Sequence, residues 1–278
     1  MMTNKKLIRN IILYTLAIIG GIIMIFPFLF MVSNALQENV FVIQNPPVLI
    51  PPHPSLGNFV NAWTSQNFQL YTLNSAIVAS CSTVLTILFS SMVAYAFARF
   101  KFPAKEVLFF TILIVLMVPD VTLIIPRFQV AKVLGLRDSL WGLIIVYVAG
   151  SASGNMFLLR GFFESLPKEL DEAVLIDGGN YLTVFFRIIL PLSTPALATV
   201  AIFSFLGHWD EFTWALTAID DPNKRTLPVA ISSFIGQHTT EWGLVFAGMI
   251  IALIPVMVLF ISLQRYFASG LTAGSVKG

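Results

Sequence analysis

Apolar positions run along this chain in six long blocks, at roughly 11 to 32, 75 to 98, 107 to 126, 140 to 159, 195 to 217 and 243 to 263. A helix needs about 20 predominantly apolar residues to cross a hydrocarbon layer about 30 Å thick, so each block predicts one membrane-spanning helix. Six crossings put both termini on one side. Ser33-Asn34-Ala35, after the first block, loosely matches a small-x-small cleavage site. Its apolar stretch is too long for a signal peptide, and an uncleaved helix is expected. Two blocks look interrupted: the third by Met117-Val118-Pro119-Asp120, and the fourth by the small, polar run Gly150-Ser151-Ala152-Ser153-Gly154-Asn155. Small residues in membrane helices let neighbouring helices approach. The alternative for Asn155 is that it lines a pathway.

Composition supports lipid as the solvent: 57% of the 278 residues are hydrophobic and 11% charged, against about a quarter charged in soluble domains. The lone cysteine, Cys81, excludes an intramolecular disulfide and a cysteine-based metal site. A net charge of +2, with dispersed basic residues, gives no footprint for nucleic acid. Basic residues are retained on the cytoplasmic side of a membrane. With the N-terminus inside, the inner segments hold eleven (Lys5, Lys6, Arg9, Arg99, Lys101, Lys105, Arg160, Lys168, Arg187, Arg265, Lys277) and the outer loops five (Arg127, Lys132, Arg137, Lys224, Arg225). Both termini are therefore expected in the cytoplasm. The expected class is an all-α polytopic membrane protein, one transmembrane domain over 1–278 with its core at about 70–265 and a long cytoplasmic loop at about 164–191.

That loop carries Glu164, Glu169, Asp171, Glu172 and Asp177. Ser165 with Pro167 is a helix-start signal, and acidic groups suit the positive end of the helix dipole. Gly178-Gly179 is the stop signal. The helix so bounded, about 167 to 177, shows one apolar stripe of Leu166, Leu170, Ala173 and Val174, with Glu169, Asp171 and Glu172 off it. A helix this short is marginal in water and needs a surface, which favours docking on a partner over resting on its own membrane domain. Asp177 sits where a helix C-terminus disfavours negative charge. It either belongs to the docking element or caps the next helix, which is expected from Asn180 or Tyr181 to Leu190.

Glu172-Ala173, then Gly178, then Ile188, Leu190 and Pro191 resemble the glutamate-alanine-alanine, glycine, isoleucine-x-leucine-proline motif of ABC-importer permeases, with Val174 in place of the second alanine. Asn74-Ser75, Ala94 to Arg99, Leu134 to Ser139 and Trp209-Asp210-Glu211-Phe212 are similar to segments of the maltose-type permeases, where Asn is more usual at the place of Asp210. The ending Gly270 to Gly278 resembles the tail of the smaller maltose-permease subunit. The resemblance implies the type I importer permease fold in the bacterial cytoplasmic (inner) membrane, working by alternating access. It implies a coupling helix that lies in a groove of a cytoplasmic ATPase, with Glu172, Ala173, Asp177 and Gly178 as its coupling residues. It also implies a second contact through a tail that inserts between the ATPases, here Lys277 and Gly278; a frayed, solvated tail is the alternative. The implied partners are a second permease subunit, two ATP-binding-cassette ATPases carrying ATP-Mg, and an extracytoplasmic solute-binding protein. No cofactor is expected on this chain.

Solute contact is expected, if anywhere, at Asn155 and at Trp209-Asp210-Glu211, where an aromatic ring beside carboxylates suits a sugar face. The alternative for Trp209 is an interfacial anchor. The chain lacks a Gly-x4-Gly-Lys-Ser/Thr phosphate loop, so hydrolysis belongs to another polypeptide. An intramembrane enzyme is disfavoured by the absence of His-Glu-x-x-His and Gly-x-Ser-x-Gly. A stand-alone transporter is disfavoured by the lack of a second copy of the 172–191 pattern. The reading is a non-catalytic permease subunit for a carbohydrate, with a polyol or glycerol phosphate as the other solutes.

Overall fold

The computed structural model describes residues 4–275, apart from 39, 40, 42, 44, 45, 47, 65, 66, 237 and 238. Its helices, in chain order, are α1 (Asn4–Ala35), α2 (Gly57–Thr64), α3 (Phe68–Arg99), α4 (Lys105–Met117), α5 (Asp120–Val133), α6 (Leu140–Ser165), α7 (Glu169–Ile176), α8 (Tyr181–Leu192), α9 (Thr194–Trp209), α10 (Thr213–Ala218), α11 (Leu227–Ser232) and α12 (Trp242–Ser275). Among the described residues the only β-pairing is an isolated bridge between Ile235 and Thr240. Within α1, α3, α6 and α12 lie four stretches long and apolar enough to cross a membrane. The pairs α4–α5 and α8–α9 bend by 94° and 78°, and counting each as one span gives six crossings.

The breaks have local causes. Between α4 and α5 the chain turns extended at Val118, the conformation that a following proline imposes, and Pro119 has no N–H to continue the ladder. Between α8 and α9 stand Pro191, Ser193 and Pro195. Pro195 supplies no N–H to the Pro191 carbonyl four residues back, and the Thr194 hydroxyl donates to it instead at 2.7 Å. The fourth expected span is not interrupted. Its polar residues bond along their own helix: Ser151 donates to the Tyr147 carbonyl at 2.8 Å and Asn155 to the Ser151 carbonyl at 2.9 Å. The second interrupted span is the fifth.

The chain forms two compact units. The first joins residues 1–69 and 230–254. There the buried Asn58 amide donates to the carbonyls of Ala35 (3.0 Å) and Gln37 (2.7 Å), tying α2 to the end of α1. The large apolar side chains of α1 from Ile8 to Leu29 stay exposed, as they do on a helix whose solvent is lipid.

The second unit joins 70–229 and 255–278 and contains two apolar clusters. One gathers Tyr95, Phe97, Phe109, Met156, Phe163, Phe185 and Ile189; the other gathers Val78, Leu143, Ile144, Tyr147, Trp214 and Val229. Helices α3 and α6 meet through small polar residues, with Thr86 and Ser151 hydroxyls 3.0 Å apart and Ser90 donating to the Ala152 carbonyl at 3.3 Å.

A polar clamp holds the loops at 134–139 and 219–227 together. Asp138 accepts from the backbone N–H of Asp220 (3.1 Å) and Asp221 (2.9 Å), while Lys224 donates to its carbonyl (2.9 Å) and carboxylate (3.3 Å). Asn74 donates to the carbonyls of Asn223 and Arg225, and the Ser75 hydroxyl accepts from Leu227 N–H. The Asp221 N–H chiefly, with Lys224, holds the Asp138 carboxyl below the usual carboxylate range. A lowered folded-state pKa means that the clamp is complete above the unfolded value of about 3.9 and is lost as pH falls through the folded value. Asp138→Ala is therefore expected to speed hydrogen exchange at the Asp220 and Asp221 amides at neutral pH. The unaltered chain should match it only on acidification below the usual carboxylate range.

Candidate functional site

Helix α7 is shorter than the periodicity predicts and faces differently. Ser165 does not cap it, because its hydroxyl donates back to the Phe162 carbonyl at 2.6 Å. At the other end the Gly178 N–H bonds to the Leu175 carbonyl (3.2 Å) and the Gly179 N–H to the Val174 carbonyl (2.9 Å), the paired arrangement of a Schellman stop. Gly178 takes φ +81°, open to glycine at little cost. At Gly179 a Cβ would lie 2.6 Å from the Val174 side chain and 2.8 Å from its carbonyl, so the chain leaves α7 in contact with it.

Periodicity puts Ala173 on the covered stripe and Asp171 off it, and the structure reverses both. Leu166 and Val174 pack on the cluster that contains Phe163 and Phe185, whereas Ala173 is exposed. Asp171 is buried, with its carboxylate 2.9 Å from Arg99 Nε at the end of α3. Burial raises its pKa and the Arg99 charge opposes the rise. The counter-charge makes that face tolerable to a carboxylate, and no periodicity along α7 reveals it. The expectation that the apolar stripe needs a partner protein is corrected accordingly, since this chain packs Leu166 and Val174 of the stripe on its own core. What α7 leaves exposed is Glu169, Glu172, Ala173, Ile176, Asp177 and Gly178, with Ile176 85% accessible. Asp177 does not cap the next helix. Asn180 does, its side-chain oxygen accepting from Thr183 N–H at 2.9 Å. Lys277 and Gly278 lie outside the described residues.

A cavity of about 370 Å³ opens beside the bend between α4 and α5, among α6, α9 and α10. Its polar lining includes Tyr147, Ser151, Asn155, Ser204, His208 and Glu211. The Tyr147 hydroxyl donates to Glu211 at 2.6 Å, and Glu211 also accepts the N–H groups of Trp214 (2.7 Å) and Ala215 (3.0 Å), capping α10. Its carboxylate is thus largely engaged by the fold. The His208 ring stacks on Tyr147 at 5.5 Å, with its nitrogens 3.4 Å from the hydroxyls of Thr83 and Ser151. Asn155 donates to the Ser151 carbonyl and to Ser204 (3.1 Å), using both amide hydrogens. At the cavity Asp120 pairs with Arg127, whose guanidinium lies over Trp214.

Of the expected solute contacts, Asn155 and Glu211 line this cavity and Trp209 and Asp210 do not. Trp209 is 2% exposed and stacked on Phe205. Tyr147, His208 and Arg127 are not among the expected solute contacts, and Ser151 is expected only as part of the small polar run, although Tyr147, Ser151 and Asn155 stand at i, i+4 and i+8, one polar line on an apolar helix. Among the described residues no three His, Cys, Asp or Glu side chains converge as a metal site requires.

Six helical crossings, a polar cavity against a broken span and a short acidic helix exposed at a loop define a polytopic membrane transport component. A family model described as "Binding-protein-dependent transport system inner membrane component" matches residues 86–273, and the chain belongs to that family. It is 35% identical over 278 residues to the trehalose/maltose transport system permease protein MalG of Thermococcus litoralis, with 99% of each chain covered. It is 32% identical over 281 residues to the galactooligosaccharides transport system permease protein GanQ of Bacillus subtilis, covering 100% of this chain and 99% of the relative. Its fold is similar to that of a chain in the crystal structure of a bacterial ABC transporter involved in the import of the acidic polysaccharide alginate. That match has a TM-score of 0.82 at 22% identity, covering 96% of this chain and 99% of the other.

Proposed function

We propose that this chain is the non-catalytic permease subunit of an ATP-driven importer that moves a carbohydrate across the bacterial cytoplasmic membrane by alternating access. The names of its relatives, which carry trehalose/maltose and galactooligosaccharides, support the solute class. The whole of 1–278 acts as one permease domain with both termini in the cytoplasm. It works with a second permease subunit, two ATPases that bind ATP-Mg, and an extracytoplasmic solute-binding protein. Asn155, with Tyr147, His208 and Glu211, forms this subunit's wall of the solute path. Glu172, Ala173, Asp177 and Gly178 meet the ATPase, and Lys277 and Gly278 form a second contact.

The observation that carries the coupling assignment is the division of α7 into two faces. Its apolar side is fastened to the chain's own core, while its acidic side projects, with Glu172 and Ile176 exposed among the described residues. A helix held at the back and bare at the front can receive a push from a neighbour without unfolding. Co-expression with the ATPase subunits tests this. Glu172→Arg, an exposed change of little consequence to the fold, is expected to abolish co-purification of the ATPase. Retention of the ATPase by that variant would refute the assignment.

A further inference from the structure

The Arg99–Asp171 pair is a specific arrangement that apolar packing of α7 does not require. The two side chains are 2% and 11% exposed. Beyond the ion pair, Arg99 donates to the carbonyl oxygens of Leu166 at 3.1 Å and Pro167 at 3.5 Å. One guanidinium therefore grips both the turn that leads into α7 and the first turn of the helix. A buried ion pair is a weak source of stability, because desolvation offsets most of its attraction, but it fixes geometry. Leu166 and Val174 alone would hold α7 through non-directional contacts; a planar guanidinium that donates to two carbonyls and is ion-paired with a carboxylate of the same segment also resists sliding and rotation. Midway along the same helix, α3 presents Thr83 to His208 and Thr86 to Ser151, and His208 and Ser151 line the cavity. From Arg99 to Thr83 is about 24 Å at 1.5 Å per residue.

We propose that Arg99 is a positioning residue that makes α7 and α3 a single lever, delivering displacement of the exposed acidic helix to the Thr83 and Thr86 side of the cavity. The proposal rests on the coupling reading given above, and its test reads the lever separately from ATPase docking. In the full complex in lipid nanodiscs, in a Cys81→Ser background, spin labels are placed at Glu169→Cys on α7 and Val84→Cys on α3, both exposed positions. The label-to-label distance is measured without nucleotide and after trapping with ATP and vanadate. The parent is expected to give one narrow distribution that stays at the same distance in both states. Arg99→Lys, which keeps the charge and loses the fork, and Asp171→Asn, which keeps the shape and loses the charge, are expected to widen it and to shift it on trapping, with the ATPase still bound. Distributions as narrow and as fixed as the parent's in both variants would overturn the lever, even if their melting temperatures fall, since that is the mark of a merely stabilising pair. Failure of the docking reading shows elsewhere, as ATPase retained by Glu172→Arg.

Discussion

Gly178→Val is expected to abolish solute uptake while leaving the chain inserted in the membrane. Gly178 sits at φ +81° in the stop that ends α7, and among the described residues no atom beyond its chain neighbours lies within 4 Å of where its Cβ would be. Space is not the obstacle; the backbone is. A β-branched residue held in the left-handed region costs about 1–3 kcal/mol. The least costly relief is to unwind the stop, breaking the bonds from Gly178 to Leu175 and from Gly179 to Val174. That swings Glu172, Ile176 and Asp177 away from their present direction without touching a membrane span. Gly178→Asn, whose side chain tolerates this conformation, should keep most uptake. Uptake by membrane vesicles with matched expression checks both, and normal uptake by the valine variant would remove the coupling role from this turn.

Glu211→Ala should have the larger effect on folding. The carboxylate holds the Tyr147 hydroxyl and the N–H groups of Trp214 and Ala215. Its removal leaves three donors at a site lined by Trp214, which is 2% exposed. Each orphaned buried donor costs about 1–3 kcal/mol, so a loss of at least about 3 kcal/mol is expected for the three. It should appear as a lower unfolding temperature of the purified complex, whereas Glu211→Gln, which keeps two oxygen-acceptor lone pairs, should lose less. Equal melting of the alanine variant and the parent would show that Glu211 does not organise the cavity.

Much of this architecture is legible in hydropathy because lipid imposes it: a backbone crossing hydrocarbon must satisfy its own hydrogen bonds, so long apolar runs become helices. The bend at Pro119 is legible for the same reason, since a missing N–H is a local fact. The fifth crossing is misjudged at both ends. The apolar run continues to 217, but the helix stops at Trp209 and a new one starts at Thr213, because Glu211 caps the second. Hydropathy averages over such a cap. Asp171 is missed because its counter-charge comes from α3, remote in sequence. Asn74, Ser75 and Asp138 lie in segments noticed only for their resemblance, and the structure supplies their work as holders of the loop at 219–227.

The shortness of α9 has a consequence for the surrounding lipid. Its 16 residues reach about 24 Å, while a typical hydrocarbon layer is about 30 Å thick. Beyond its first residue the chain turns through 78° into α8, whose Tyr181, Leu182, Phe186 and Leu192 are each about half exposed or more. A crossing that ends early and continues sideways as a greasy ledge matches a locally thin bilayer, with aromatic side chains at the level of the headgroups. Bilayer thickness thus becomes a mechanical load on the same segment that carries Ile188, Leu190 and Pro191.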